Sequence, residues 1–427
     1  MYTSNSLLVD CGILEKLKKN RILVVSFCAL EELPDVIGKL IHLRYLDVSY
    51  NCNIRRLLES LCDLCNLQTL LLYGCHNLEC LPHGMKKLIS LRKFDGASKF
   101  IPEITEVEKL ASLQNLRTFK VPKDSGHKLI ELNGLKQLRG GLHITNLENV
   151  ENTVEASLAS LKSKEHLNRL ELEWTPSQES DTGVSLHISE KVLEELQPYL
   201  NLCSMTIRGY NGAGAPNWLQ EQVYSRLEFL CLENCKRWKD LSVEPLINLN
   251  YLTINNCNEL RSVEGLGIKS LQVLTIIGCP KLLLSQGEAQ TEKSSLRELV
   301  IDDTAFMQQS LIKNFLSSVE QLTISFSCKA VIFEGVDVES LQSLTSLHSL
   351  CFSCCKNLQS LPTKLYTLTS LQSLQIYDCP QIQSLPQKGL PPCLTNLDFE
   401  GCNLALEQQL GNHLVEIKKS SLTTLYT

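Results

Sequence analysis

The chain lacks most of what the common functional classes require. Its 41 Lys and Arg are outnumbered by 47 Asp and Glu, for a net charge of −6 over 427 residues. Without a basic excess there is no general attraction to nucleic acid or to an anionic membrane. No apolar run approaches membrane-spanning length. The opening, MYTSNSLLVDCGILEKLKKN, has no basic start, and Asp10 interrupts its only apolar run, so it does not read as a secretory leader. No asparagine stands in an Asn-x-Ser/Thr acceptor, an odd absence for an extracellular receptor of this size. Gly38-Lys39 is the only Gly-Lys pair and leads into Leu40, with no glycine five residues before it, so there is no phosphate-binding loop. Gly-x-Ser-x-Gly and His-Glu-x-x-His are missing, and the nine histidines are dispersed. No constellation for catalysis or for a cofactor remains. The expectation is a binding surface and not an enzyme.

What the chain does have is one phrase, repeated: Leu-x-x-Leu-x-Leu-x-x-Cys or Asn. It reads LRYLDVSYN at Leu43 to Asn51, LQTLLLYGC at Leu67 to Cys75 and LEFLCLENC at Leu227 to Cys235, and returns ending at Cys279 and Cys379. Cys28, Asn51 and Cys75 lie 23 and 24 apart, and Cys235, Cys257 and Cys279 lie 22 apart. That period is the signature of a leucine-rich repeat, one strand and one return segment per turn. The paired leucines sit two apart, so on a strand both face inward: Leu46 and Val48, Leu70 and Leu72, Leu252 and Ile254. No repeat can bury its apolar row alone, so the rows must merge into one core. The return arm often carries Leu-x-x-Leu-Pro, as at Leu30, Leu33 and Pro34 or Leu78, Leu81 and Pro82, and proline suits a segment outside a hydrogen-bonded ladder.

The expected fold is therefore an α/β solenoid: a leucine-rich repeat horseshoe with a parallel concave sheet and an irregular or short-helical convex side. Sixteen strand centres follow from the template: Leu23, Leu46, Leu70, Phe94, Phe119, Leu142, Leu170, Met205, Leu230, Leu252, Leu274, Leu299, Leu322, Leu350, Leu374 and Leu397. A core that grows along one axis makes residues 1–427 a single domain of about 16 repeats. The repeats are irregular over roughly 93–226, where spacing stretches and the closing Cys disappears. Leu422 and Leu425 suggest a seventeenth strand that stops mid-phrase, as though the domain were cut at its ends. Two polar stretches without periodicity, Thr175 to Ser189 and Ser285 to Ser294, read as mobile surface loops.

Nineteen cysteines would mean disulfides in a secreted protein. Here Cys28, Cys75, Cys235, Cys257, Cys279, Cys355, Cys379 and Cys402 occupy the closing slot, where a small buried side chain fits. With the missing sequons, this favours free thiols in a reducing, cytoplasmic compartment. Cys62, Cys65, Cys75, His76, Cys80 and His83 imitate a set of zinc ligands. Leu61, Leu64 and Leu67 interleave with them at repeat spacing, so they fall on opposite sides of the chain and no metal is expected.

The outward strand positions define the candidate surface. They carry nine acidic residues, Asp47, Asp95, Glu171, Glu173, Glu233, Glu298, Asp302, Asp398 and Glu400, against the basic Lys93, Lys120, Arg169 and Arg208. The concave face should therefore hold about −5, most of the chain's net charge. Tyr45, Tyr73, Phe229, Tyr251 and Tyr377 add rings of the kind that dominate protein interfaces; for any one ring, simple fit to a β surface explains it equally well. The candidate contact residues are Tyr45, Asp47, Tyr73, Glu171, Glu173, Arg208, Phe229, Glu233, Tyr251, Asp302, Tyr377, Asp398 and Glu400.

The opening repeats resemble those of plant intracellular immune receptors, in particular the coiled-coil, nucleotide-binding, leucine-rich-repeat class of disease resistance proteins. The likeness rests on Ile37-Gly38-Lys39-Leu40 and His42 to Asp47, and also on LNGLKQLRGGLHITNLENV at Leu132 to Val150, HLNRLELEW at His166 to Trp174 and CPQIQSLPQKGLPPCLTNLDFEGC near the end. Leu58 stands where the family usually carries proline, and PNWL at Pro216 to Leu219 sits in an altered frame. The resemblance implies a recognition and self-inhibitory role. The implied partners are a protein ligand, either a pathogen effector or a guarded host protein, and the receptor's own nucleotide-binding domain. A repeat adaptor that selects substrates for a ubiquitin ligase is the alternative, although no F-box-like segment is visible.

Overall fold

The computed structural model describes residues 16–95, 106–123, 128–175, 183–284, 295–325 and 341–411, together with Leu14 and Ile104. The second polar stretch, Ser285 to Ser294, and the half-phrase at Leu422 and Leu425 lie outside these residues. The chain forms two compact units, Met1–Gly209 and Tyr210–Thr427.

In the first unit, β1 (Ile22–Val24), β2 (Tyr45–Asp47), β3 (Thr69–Leu71) and β4 (Lys93–Asp95) form a parallel sheet in chain order. Leu23, Leu46, Leu70 and Phe94 are direct partners across it. Then follow β5 (Thr118–Lys120), β6 (Gly140–Thr145), β7 (Leu167–Glu173) and β8 (Ser204–Arg208), also parallel and in chain order. Leu142, Leu170 and Met205 align. Phe119, however, pairs with Ile144, two residues beyond the expected centre Leu142. The offset lies beside Gly140, which has φ +74° and begins a register shift against β7.

In the second unit β9 (Phe229–Glu233), β11 (Tyr251–Asn255), β13 (Val273–Ile277), β14 (Glu298–Ile301), β15 (Gln321–Ser325), β16 (Ser349–Ser353), β17 (Ser373–Tyr377) and β18 (Asn396–Glu400) pair in chain order. From Leu230 to Leu397 every expected centre meets the next. The inward members of each pair from β9 to β17 are buried, including Leu252, Ile254, Leu274 and Ile276, while in β18 Leu397 is buried and Phe399 half-buried. This is a leucine-rich repeat fold, and all sixteen expected centres lie in strands.

The return segments are short 3-10 helices, as at Asp35–Lys39, Glu59–Asp63 and His83–Lys87. Pro34 and Pro82 stand immediately before two of them with φ −70° and −64°, preset for a tight turn and with no donor to strand. Neighbouring return arms pack so closely that a Cβ on Gly38 would come 2.6 Å from the carbonyl oxygen of Ser60. Where proline is missing the arm can ladder: β10 (Asp240–Ser242) pairs in parallel with β12 (Ser262–Glu264), a second small sheet that the repeat phrase does not announce.

The stretch expected as a loop at Thr175 to Ser189 is partly helical. Helix α2 (Gly183–Glu195) begins within it and buries Val192 and Leu193, while α1 (Thr153–Leu158) starts at Asn152, whose side chain accepts from the Val154 amide at 2.9 Å. The loop reading followed the polar run that precedes Gly183 and cut the segment before the buried turn at Val192 and Leu193.

The closing slots are filled in two ways. Asn51 is fully buried. Its Oδ1 accepts from the amides of Cys28 and Leu30, both at 3.0 Å, and its Nδ2 donates to the carbonyls of Val25 and Val48 at 2.8 and 2.7 Å. One side chain thereby satisfies four buried backbone groups of two turns. A cysteine in the slot does less: the Cys257 thiol donates to the Asn255 carbonyl at 3.5 Å, and the Cys279 thiol donates to that of Ile277 at 3.4 Å. Hydrogen bonding to Cys235 raises the Cys257 thiol above its usual range, and contact with Cys257 raises Cys279 with burial adding to it. These thiols stay protonated and inert at neutral pH. The Cys62 thiol is likewise pushed up to about 12 by burial. Among the described residues no group of His, Cys, Asp or Glu is placed to hold a metal ion, and no helix is long and apolar enough to cross a membrane.

Candidate protein-binding surface

Alternation along each strand decides which side chains are left for a partner. In β11 and β13 the residues one or three positions from the buried centres, such as Thr253, Asn255 and Thr275, face outward and stay partly exposed. Tyr45, Asp47, Glu171, Glu173, Arg208, Phe229, Glu233, Tyr251, Tyr377, Asp398 and Glu400 occupy such positions in their strands. Asp302 follows β14 by one residue. Tyr73 lies two residues past the end of β3, in the turn, 60% exposed.

The two units use their outward charges differently. In the first, Asp47, Asp95, Glu171 and Glu173 face Lys93, Lys120, Arg169 and Arg208, four of each sign. Several are paired on the surface: Arg208 donates to Glu171 at 3.0 Å, His143 lies 2.7 Å from Glu173, and Arg117 lies 3.8 Å from Asp95. Asp47 is also engaged, accepting from the Ser49 amide at 2.9 Å. In the second unit the outward charges are Glu233, Glu298, Asp302, Asp398 and Glu400, all acidic, with no Lys or Arg among the outward positions of its strands. The excess of negative charge expected over the whole face therefore falls within the second unit. At its C-terminal end the Tyr377 hydroxyl donates to Asp398 at 2.5 Å, and that bond holds the phenol up at about 12.

Two features were not singled out from the sequence. In the first unit Phe27 stacks on Tyr50 with centroids 4.3 Å apart, and Tyr50 meets Tyr73 edge-on at 5.4 Å. Phe27 and Tyr50 each precede a closing residue, Cys28 and Asn51, and that shared offset was the available signal. In the second unit the turns after β11, β13 and β14 enclose a pocket of about 510 Å³. Ile277, Leu283 and Phe306 supply apolar walls, while Asn256, Asp302 and Asp303 supply acceptors. Asn256 and Gly278 take left-handed backbone at φ +54° and +68°, and a Cβ at Gly278 would meet Asn256 Oδ1 at 2.3 Å. Asp302 Oδ2 accepts from the Gly278 amide at 2.8 Å, which fixes the carboxylate at the rim. Of the thirteen candidates from the sequence, only Asp302 lines this pocket.

Residues 129–257 match the R13L1/DRL21 leucine-rich repeat family, a span that contains both irregular stretches, Leu132 to Val150 and His166 to Trp174. A putative disease resistance protein of Arabidopsis thaliana is 35% identical over 228 residues, 52% of this chain and 16% of that protein. Disease resistance protein RGA2 of Solanum bulbocastanum is 32% identical over 277 residues, 60% of this chain and 27% of that protein. The chain is a leucine-rich repeat region of the plant disease-resistance type. It matches about a quarter or less of the length of these relatives. A leucine-rich repeat protein of Leptospira interrogans aligns over 98% of both chains at 16% identity and a TM-score of 0.35.

Proposed function

We propose that this disease-resistance repeat region is the recognition and self-inhibitory arm of an intracellular plant immune receptor. It binds without catalysing, through the outward face of its strands, and its ligand is a protein: a pathogen effector or a host protein that the receptor guards. Its second partner is the nucleotide-binding domain of the same receptor, held inactive by contact with the repeats in the cytoplasm. The observation that carries this reading is the kinship with disease resistance proteins over more than half of the chain, joined to a sheet face whose charges the core does not use.

A pull-down against the separately expressed nucleotide-binding region tests it. Reversing Glu171 and Glu173 to Lys, or Asp398 and Glu400 to Lys, should weaken docking, most clearly at low salt where screening lengths are longest. Docking indifferent to both pairs at low ionic strength would remove this face from the interface. A ubiquitin-ligase adaptor would instead bring down a ligase scaffold and leave the nucleotide-binding region behind.

A further inference from the structure

We propose that a row of arginines along one rim of the first unit docks an acidic segment of a protein ligand, with its carboxylates on Arg44, Arg92 and Arg139. This rests on the reading of the chain as a protein-recognition region and names the chemistry of one ligand.

The backbone builds the row. Ahead of the strands, one residue in each repeat donates its amide to the carbonyl of its counterpart in the repeat before. Arg44 donates to Arg21, Gln68 to Arg44, Arg92 to Gln68, Gln114 to Arg92 and Arg139 to Gln114, all at 2.7 to 2.8 Å. Each step is about 5 Å, the spacing of paired strands, so Arg44, Arg92 and Arg139 follow one another at about 10 Å. All four arginines are exposed, and Lys93 adds a further exposed charge beside Arg92. Among the described residues no carboxylate pairs with Arg21, Arg44, Arg92 or Arg139.

The fold does not ask for these arginines. In the second unit the same ladder position runs through Glu228, Asn250, Gln272, Arg297, Glu320 and His348. Acidic, neutral and basic residues all serve there, so the position carries no preference of its own. Four like charges set in a line repel one another and bring the folded chain nothing. They suit a ligand instead, because the guanidinium fork matches a carboxylate with two parallel hydrogen bonds.

The surroundings select a protein segment over nucleic acid. The row is a single residue wide, and the chain as a whole carries −6. A phosphate backbone charged at every nucleotide meets that repelling background wherever it leaves the row. A peptide whose acids lie along one edge does not.

The test is fluorescence anisotropy of the full chain with a labelled peptide of Glu-Pro-Pro triplets, whose polyproline II turn presents a carboxylate about every 9 Å. The parent should bind it at low salt and release it as salt rises, and the Gln-Pro-Pro counterpart should not bind. Arg44→Glu with Arg92→Glu should weaken binding at least about tenfold. Arg44→Gln with Arg92→Gln, which installs the residue that the row already holds at Gln68 and Gln114, should weaken it about fivefold. Arg297→Glu with Lys356→Glu makes the same change in net charge as the first pair, within the second unit, and should weaken binding less than about twofold. Absence of binding by the parent, binding unchanged by the Arg44 and Arg92 pairs, or equal loss from the second-unit pair overturns the proposal. Displacement of the peptide by oligothymidine at matched anion concentration overturns the assignment to a protein ligand. None of these failures touches the broader reading, which the pull-down with Glu171 and Glu173 reversed decides by itself.

Discussion

The two units solve the same problem with different chemistry. Every repeat must close a turn beside its strand, and each turn leaves backbone groups that need partners. The first unit has Cys28 and Cys75 in the slot but also relies on polar side chains at its turns and strand ends. Asn51 serves four backbone groups, Asn115 both donates to and accepts from the backbone of Phe94, and Asn149 donates to the Val121 carbonyl at 2.9 Å. It even buries a cation: Lys164 is fully enclosed, and its Nζ donates to the carbonyls of Leu132 and Leu135 at 2.6 and 3.1 Å. The second unit uses a stack of thiols, with Cys235, Cys257, Cys279, Cys355 and Cys379 all buried in the slot. Outside, the units differ again. The outward strand positions of the first carry both signs, with Arg208 paired to Glu171 and His143 beside Glu173, whereas the charged outward positions of the second are all acidic.

The sharpest way to break this contrast is to force polarity into the thiol stack. Cys257→Arg places a charge where no exposure remains, between Cys235 and Cys279, and should cost about 4 kcal/mol or more. Glu259→Arg, two residues away, loses only the exposed pair with Lys281 at 2.6 Å and should cost less than about 1 kcal/mol. Thermal unfolding of the two variants measures the difference. Equal loss would mean that the slot is not an interior position.

Lys164 gives the next largest effect. Burial lowers its amine to about 8 from 10.5, with Lys136 adding to the shift. Between those two values the unfolded chain holds more protons than the folded one, so stability should rise with pH across that window, by about 2 kcal/mol. Below pH 8 both states are protonated and the dependence ends. Denaturant titrations at pH 7.5 and 10 should show this rise in the parent and lose it in Lys164→Met.

The smallest effect concerns the surface. Glu171→Lys with Glu173→Lys breaks the contacts to Arg208 and His143 and should cost about 1 kcal/mol. Asp398→Lys with Glu400→Lys relieves repulsion among exposed acids but gives up the exposed hydrogen bond from Tyr377, and the two effects should offset to leave a change of less than about 0.5 kcal/mol. A larger loss from the second pair would show that the acidic face of the second unit carries structural weight.

The strand centres were legible because Leu-x-Leu has period two and recurs at nearly fixed spacing, so burial and register follow from one pattern. The pairing of Phe119 with Ile144 was not, because Leu142 and Ile144 lie two apart on the same buried face of β6 and either one fits the template. Helix α2 was hidden because its apolar turn, Val192 and Leu193, lies beyond the polar run that looked like a loop. The outward residues could be named from alternation, but whether an acid is paired could not. Glu171 and Arg208 lie 37 positions apart and meet only through the pairing of β7 with β8. The pocket stayed invisible because it is built from three turns and not from any phrase. Its one sequence trace is the left-handed pair Asn256 and Gly278, which occupy the same offset in successive repeats.

Because each strand of the second unit pairs with its neighbours in chain order at matched centres, the natural unit of change in this gene is a whole period. Loss of the 22 residues between one closing cysteine and the next brings Cys235 directly against Cys279 and keeps every later side chain on its own face. Loss of a single residue inside a strand turns that strand's apolar row toward water. Unequal recombination between repeats can thus lengthen, shorten or shuffle the outward face while the interior stays sound, so a lineage can revise its exposed chemistry without first having to reinvent how it folds.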